Sequence, residues 1–430
     1  MAKTSTLNLW YENQLVGNLW NNELDRIGFR YSDDWLASET KFPISLQLPL
    51  QAKEFLPDEG KAHRFFSNLL PEAQARAQII NDLKIPDSDY SLLEAIGGEC
   101  AGAFNILPDQ SGPESRESWG YTELSKKDLK TLIKRRGSGI NFRNNSNKPI
   151  RLSLAGAQNK CPILITDNGR FLPSNEAATS HILKFQVTDY PHIPAYETIL
   201  MKLAKSIGMN VAKIELRALD GLPASEPEKS FVEIERYDRV KDSEGNIFRL
   251  HQEDFCQALG YGYNKKYQSD GGPSFSDCLN LIREYSVEPA EDTIALIEWQ
   301  IFNFLAGNSD GHAKNLSILY SEDHSPRLAP FYDLVCTRAI ERIDTSLAFA
   351  IGQEHNPGRI YKRNWEAFAT EIDINANYLI KTVQVSIEKI LDSLPNVFQN
   401  FKEDYGEYAA LQRVNHFIRC QCHGASQNLK

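Results

Sequence analysis

No stretch of this 430-residue chain approaches the roughly 18 consecutive apolar residues of a membrane helix. Its opening Met1-Ala-Lys-Thr-Ser-Thr6 lacks the apolar core of a secretory signal. Together these absences set the expectation of a cytoplasmic protein that does not engage a membrane. Cysteine is sparse: seven residues, an odd number without framework spacing, fit reduced thiols rather than a disulfide scaffold. Cys420-Gln-Cys422-His423 has no partner cluster to complete the usual four zinc ligands, and it reads as a chance grouping. Positive charge is not in excess. A net charge of −10 excludes the overall basic surface that binds nucleic acid by itself. Local basic groups exist: Lys126, Lys127, Lys130, Lys134, Arg135 and Arg136 accompany Leu129, Leu132 and Ile133, while Arg359, Lys362 and Arg363 form a second set. Solvated helix faces account for both. The chain also lacks an internal repeat, a G-x-G-x-x-G run and a Walker A motif.

What is present is an ordinary globular composition, 41% apolar and 24% charged, long enough for two or three cores. Three parts are expected, over 1–110, 111–238 and 239–430, the first two rich in strands and the last helical. Leu7, Leu9 and Tyr11 alternate before a second run from Leu15, which predicts a hairpin. Ile44, Leu46, Leu48 and Leu50 alternate again between Pro43 and Pro49, the pattern of an edge strand. Helical spacing covers about 65–80, broken by Pro71, and 91–95; the glycine-rich Gly97-Gly-Glu-Cys-Ala-Gly102 closes the latter as a turn. Residues 162–166 and 170–172 flank Asp167-Asn-Gly169, a second hairpin. Strands at 181–185 and 231–237 bracket a helix with Glu197 near its start. Helices are expected over 252–259, 274–284, 292–306, 378–394 and 407–417.

The chemistry concentrates in Ala306-Gly-Asn-Ser-Asp-Gly-His-Ala-Lys-Asn315 and the later Phe331-Tyr-Asp333. Asp310 and Asn315 stand five residues apart with Lys314 between them, and Asp333 lies eighteen further on. Protein kinases use this five-residue step: the carboxylate takes the proton of a substrate hydroxyl and the amide holds magnesium, while a later Asp holds the metal on the nucleotide phosphates. An ATP- and Mg2+-dependent phosphotransferase is the expectation. Gly307-Asn-Ser-Asp-Gly311 also fits the G-x-S-x-G elbow of hydrolases, but that elbow needs a strand before and a helix after. Here a helical pattern precedes and Leu316–Tyr320 follows as a strand. A plain polar turn is the remaining alternative.

Upstream, Ala155, Gly156 and Ala157 in Ser153-Leu-Ala-Gly-Ala-Gln-Asn-Lys160 permit a close backbone approach to phosphates; a tight turn explains them equally. Lys184 sits within an apolar strand, where it either snorkels at an edge or aims its charge at phosphates. Small-residue loop, strand lysine and acidic helix follow the order of a kinase nucleotide lobe. The backbone around Glu235 and Tyr237 is then the candidate adenine hinge.

Taken together, Phe65-Phe-Ser-Asn-Leu-Leu-Pro71, Ser153–Lys160, Glu235-Arg-Tyr-Asp-Arg239, Gln252-Glu-Asp254, Ser269-Asp-Gly-Gly-Pro273, Asp310–Asn315 and Pro330-Phe-Tyr-Asp333 resemble the HipA-type serine/threonine protein kinases, the toxins of bacterial type II toxin–antitoxin pairs. The resemblance runs nearly end to end. It implies an α+β, two-lobed protein-kinase-like fold with a β-rich N-terminal lobe and an all-helical C-terminal lobe. It implies Asp310 as catalytic base, Asn315 and Asp333 as magnesium ligands, and Lys184 on the α- and β-phosphates. Ala155, Gly156, Ala157, Gln158, Asn159 and Lys160 would form the phosphate loop, Glu235, Arg236 and Tyr237 the hinge. His312, Ala313, Lys314 and Tyr332 would lie in the nucleotide site, and Ser153 would be autophosphorylated. The implied partners are a helix-turn-helix antitoxin dimer, operator DNA through that antitoxin, and a protein substrate, glutamyl-tRNA synthetase. Residues 353–365 match the family poorly, so Arg359, Lys362 and Arg363 are candidates only for a DNA contact. Two other functions remain at this level: a catalytically weak binding partner of the antitoxin, and a small-molecule kinase.

Overall fold

The computed structural model describes residues 6–109, 112–113, 120–137, 155–156, 158–174, 177–187, 190, 192–219 and 229–430. They form a mixed helix and sheet fold in two compact units. The first comprises Met1–Phe185, Ile234–Asn264 and Ile318–Ser325; the second comprises Gln186–Glu233, Lys265–Ser317 and Pro326–Lys430. This grouping is coarser than the three expected parts, and it returns 239–264 and 318–325 to the unit that holds the amino-terminal sheet.

In the first unit, strands Leu7–Tyr11, Gln14–Asn21, Ile27–Tyr31 and Phe104–Pro108 make an antiparallel sheet in the order third, second, first, fourth. The alternation that predicts the hairpin works as expected: Leu7, Leu9, Val16 and Leu19 are fully buried, against Phe29, Phe66 and Leu93. The helical pattern around 65–80 splits into Lys61–Ser67 and Ala73–Leu83, with Pro71 in the gap because its ring and missing N–H break a helix. Strands Tyr121–Glu123, Gly169–Pro173, Lys160–Thr166 and His181–Lys184 lie side by side in that order. Thr166 pairs with Gly169, so the hairpin turn is Asp167-Asn168 and the glycine opens the next strand.

Two expectations change. Residues 44–50 form a tight turn with a single Ser45–Leu48 bridge rather than a strand. Glu253 causes this: its buried carboxylate accepts from Ser45 Oγ at 2.6 Å and from the Leu46 N–H at 3.2 Å, while the Tyr31 hydroxyl donates to the Leu48 carbonyl at 2.5 Å. The expected 252–259 helix is a strand, Gln252–Asp254, followed by a short helix, Phe255–Leu259. Asp254 ends the strand because its side chain caps that helix, with Gln257 returning the bond.

The second unit is mainly helical: Ile193–Ser206, Phe275–Tyr285, Pro289–Ala306, Lys362–Glu371, Ala376–Tyr405 and Leu411–Asn428. Its core packs Phe275 at a tilt against Phe368, ring centroids 5.3 Å apart, and Phe304 edge-on to Trp365 at 5.6 Å. The helix expected over 378–394 continues through Pro395 to Tyr405. Residues 239–430 also carry short strands, Ser317–Tyr320 and Pro326–Leu328 among them. The Leu411–Asn428 helix buries Cys422 and exposes Cys420, so the two thiols point apart. The Lys126–Lys134 helix buries Leu129, Leu132 and Ile133 and turns its lysines to water. Among the described residues no helix is long and apolar enough to cross a membrane.

A buried ionic cluster closes the first unit. Glu99, fully buried, receives Arg236 at 3.0 Å, Arg239 at 2.9 Å and Arg249 at 2.6 Å, and Asp238 receives Arg236 and Arg239 at 2.8 Å. Burial alone raises the Glu99 carboxyl, but Arg239, Arg249 and Arg236 outweigh it and hold it at about 2. Its contribution to stability is therefore present above the ordinary carboxylate value and lost as pH falls toward 2. Glu99→Gln should cost about 3–5 kcal/mol at neutral pH, because it leaves buried guanidinium charge uncompensated; a loss below about 1 kcal/mol in chemical denaturation would contradict this. Glu253 titrates in the opposite sense. Burial lifts its carboxyl to about 7 although three donors oppose the shift. A folded value above the unfolded one stabilises at low pH and loses that contribution as pH rises through about 7. The stability of wild type relative to Glu253→Gln should thus fall between about pH 5 and about pH 8, by on the order of 1–3 kcal/mol. A difference constant with pH would show that this carboxyl does not titrate in that window.

Candidate active site

The 306–315 segment leaves the Pro289–Ala306 helix at Gly307, which takes the left-handed conformation (φ 77°) that ends a helix. The chain then crosses back over the helix so closely that a Cβ on Gly311 would lie 2.7 Å from Asn303 Nδ2. Ser309 is buried and engaged: its N–H donates to Thr337 Oγ1 at 2.8 Å and its hydroxyl to the Thr345 carbonyl at 2.9 Å. Helix before, strand after and a hydroxyl turned inward exclude a nucleophile elbow.

Asp310 and Asn315 are tied together. Asn315 Nδ2 donates to the Asp310 carbonyl at 2.9 Å, and the His312 N–H donates to the same oxygen at 2.9 Å. Asn308 Oδ1 accepts from the Asp310 N–H at 3.2 Å. With its amide nitrogen so engaged, the buried Asn315 keeps Oδ1 as its acceptor, while the Asp310 carboxylate is 53% exposed. One feature of the loop has no counterpart in the sequence reading: Tyr267 donates its hydroxyl to Asp310 Oδ1. Its ring meets His312 edge-on at 5.1 Å. The only sequence signal was an aromatic residue ahead of a Gly-Gly-Pro turn.

Asp333 is carried by Phe331-Tyr-Asp333, whose Phe331 exchanges backbone bonds with Asn210 and Ala212, both 2.9 Å. The Tyr332 hydroxyl donates to the Lys314 carbonyl at 2.8 Å and meets Ser317 Oγ at 3.0 Å. Asp333 itself has φ 58°, uncommon for a residue with a Cβ. Asp310, Asn315 and the Asp333 segment are thus linked within the second unit. His312 and Lys314 are buried there, and Ala313 is anchored through its N–H to the Lys266 carbonyl at 3.3 Å.

The first unit holds the other candidates. Lys160 and Lys184 are directly paired across antiparallel strands, so both side chains leave one face of the sheet. Lys184 is 4% exposed, which does not suit a snorkelling edge residue. Gly156 has φ 115° and its carbonyl accepts from the Glu72 N–H at 3.0 Å. Lys160 Nζ donates to the Ala155 carbonyl at 2.6 Å, Gln158 Nε2 to the Phe185 carbonyl at 2.6 Å, and Asn159 Nδ2 to the Arg136 carbonyl at 3.0 Å. Ala157 and Ser153 lie outside the described residues. At the expected hinge, Glu235 is exposed and the Tyr237 hydroxyl donates to Gln252 Oε1 at 2.6 Å. Arg236 differs from expectation. Its guanidinium donates to Asp238, Glu99, Thr179 and the Cys100 carbonyl, and its N–H to the Ser180 carbonyl at 2.9 Å. The residue serves the fold and has no donor left for a nucleotide. Arg359, Lys362 and Arg363 are exposed around the start of the Lys362–Glu371 helix.

Comparison with known proteins fits these blocks. The HipA N-terminal domain model matches residues 7–107 and the HipA-like C-terminal domain model matches 152–398. A putative kinase, Y4mE, of Sinorhizobium fredii is 36% identical over 96% of this chain and 95% of its own length. The serine/threonine-protein kinase toxin HipA of Shewanella oneidensis is 28% identical over 98% and 96%. A solved Shewanella structure, described as a toxin–antitoxin complex of HipA, HipB and operator DNA, superposes with a TM-score of 0.81 at 24% identity over 98% of both chains. With both HipA domains matched and relatives aligned over nearly its whole length, this chain belongs to the HipA-like serine/threonine kinase toxin family.

Proposed function

We propose that the chain transfers the γ-phosphoryl group of ATP to protein serine or threonine and acts as the toxin of a toxin–antitoxin pair. The Asp310–Asn315 pairing carries this reading: one hydrogen bond holds the backbone of Asp310 and keeps an amide oxygen beside it, and the Asp310 carboxylate is exposed. Asp310 accepts the proton of the attacking hydroxyl. Asn315 Oδ1 and Asp333 are hard oxygen donors, suited to magnesium, which takes one or two protein groups and fills its shell with phosphates and water. Among the described residues no group of three or more His, Cys, Asp or Glu gathers as a metal site. The chemistry such an ion supplies is neutralisation of phosphate charge. Lys184, with Lys160 and the 155–160 loop, binds phosphates; the paired lysines support this. Glu235 and Tyr237 offer backbone to adenine, and His312, Ala313, Lys314 and Tyr332 frame the nucleotide.

In the same reading Ser153 is an autophosphorylation site. A phosphate there, carrying about −1.5 to −2 charge, competes with those of ATP for the loop. The partners are a helix-turn-helix antitoxin dimer and, through it, operator DNA, which the Shewanella complex of HipA, HipB and operator DNA supports; Arg359, Lys362 and Arg363 are the candidates for a direct DNA contact. The substrate is a cytoplasmic translation component, glutamyl-tRNA synthetase, and the chain acts in the cytoplasm. Functional divisions are placed at about residues 110 and 238; the N-terminal family model, which ends at 107, supports the first of them. Incubation with ATP and Mg2+ followed by mass spectrometry tests the reading. Wild type should gain phosphate on Ser153, and Asp310→Asn should gain it more slowly by about a hundredfold or more. Wild-type protein that stays unmodified and hydrolyses no ATP would instead make the chain a binding partner of the antitoxin.

A further inference from the structure

We infer that Tyr267 is a positioning residue that fixes the carboxylate of Asp310 for proton transfer. The inference rests on the kinase reading of Asp310. The backbone of Asp310 is held at its N–H by Asn308 and at its carbonyl by Asn315 and His312. None of these contacts restrains the side chain, which is half exposed and would rotate without a further contact. Tyr267 supplies the restraint: its hydroxyl donates to Oδ1, and His312 Nε2 stands 3.9 Å from the same oxygen. Oδ1 is claimed, and Oδ2 is left for an incoming hydroxyl.

The loop that carries Tyr267 is built to hold it still. Gly272 donates its N–H to the Tyr267 carbonyl at 2.9 Å, and a Cβ at 272 would fall 2.7 Å from that carbonyl oxygen. Gly271 adopts φ 76°, a conformation glycine accepts without strain. The neighbouring Gln268 is anchored on both sides, its N–H to the Ala348 carbonyl at 3.3 Å and its side-chain oxygen to the Ala350 N–H at 2.9 Å. Lys266 accepts from Ala313 inside the catalytic loop. The Ser269-Asp-Gly-Gly-Pro273 motif thus has a physical purpose: its two glycines let the chain turn tightly enough to set a phenol on the base.

In the transfer step a serine O–H bond breaks and its proton passes to Asp310 Oδ2. The serine oxygen bonds to the γ-phosphorus, and the bond from that phosphorus to the β,γ-bridging oxygen breaks, its electron pair leaving on ADP. Tyr267 keeps its own proton throughout and touches no reacting atom. Its removal should lower the fraction of time the carboxylate is correctly aimed, and so act on kcat rather than on nucleotide affinity.

Tyr267→Phe keeps the ring against His312 and deletes the hydroxyl. Its kcat for ATP-dependent phosphorylation should fall about ten- to a hundredfold, with KM for ATP and the thermal midpoint unchanged. In an Asp310→Asn background the same substitution should cause no further loss, because the two groups act as one unit. A spectroscopic arm is independent of activity. With tyrosine labelled at the 13Cζ position, the resonance missing from Tyr267→Phe should be the one that shifts most in Asp310→Asn. Wild-type kcat in Tyr267→Phe, or a Tyr267 resonance indifferent to Asp310→Asn, overturns the inference. If wild type phosphorylates nothing, the kinase reading fails, and the catalytic role inferred for Tyr267 falls with it. The resonance shift would then report only whether the Tyr267–Asp310 contact exists.

Discussion

One hydrogen bond, from the Asn315 amide nitrogen to the Asp310 carbonyl, sets the chemistry of the loop. It closes the five-residue step into a turn, so that the backbone of Asp310 and the buried amide oxygen of Asn315 are fixed by the same contact, while Tyr267 holds the carboxylate. Placed in water, a flexible Asp and Asn five residues apart would bring neither a base nor a ligand to a defined place. Preorganisation of this sort is what phosphoryl transfer asks of a protein, since the reaction needs positioning and charge cancellation more than covalent help.

Around that turn the second unit is arranged to keep it from moving. Gly311 lies against Asn303 of the Pro289–Ala306 helix, Tyr332 braces the Lys314 carbonyl, and Ser309 is bonded to two neighbouring segments. The first unit uses a different device. The strand Ser230–Glu235 leads into a buried cluster of two carboxylates and three guanidiniums, which holds the 234–239 backbone and takes up the Arg236 side chain. Buried ion pairs are weak evidence for stability, but breaking one is costly; the cluster therefore specifies where the strand ends.

Local pattern was legible wherever neighbours in sequence are also neighbours in space. The Leu7–Asn21 hairpin, the split at Pro71 and the helix–loop–strand setting of Asp310 all follow from spacing and turn residues. The 44–50 alternation misleads because its partner, Glu253, lies 208 residues from Ser45, and a buried carboxylate overrides strand propensity. The role of the Arg236 side chain was hidden similarly: Glu99, which claims it, sits in a glycine-rich turn with no signal of its own. Tyr267 was hidden in a loop whose glycines explain the turn and say nothing of what the turn presents. The Asp310, Asn315 and Asp333 segments, picked out together by their spacing, are linked to one another in the second unit.

The most direct measurement is the rate of γ-phosphate transfer from labelled ATP to protein serine by wild type, Asp310→Asn, Asn315→Ala and the double variant. Each single change should lower the rate by about a hundredfold or more, and the double variant should be no slower than the worse single one, because groups that act as one unit are not additive. Losses that simply multiply, or single variants that keep the wild-type rate, would contradict the claim that the Asp310–Asn315 turn is the catalytic device.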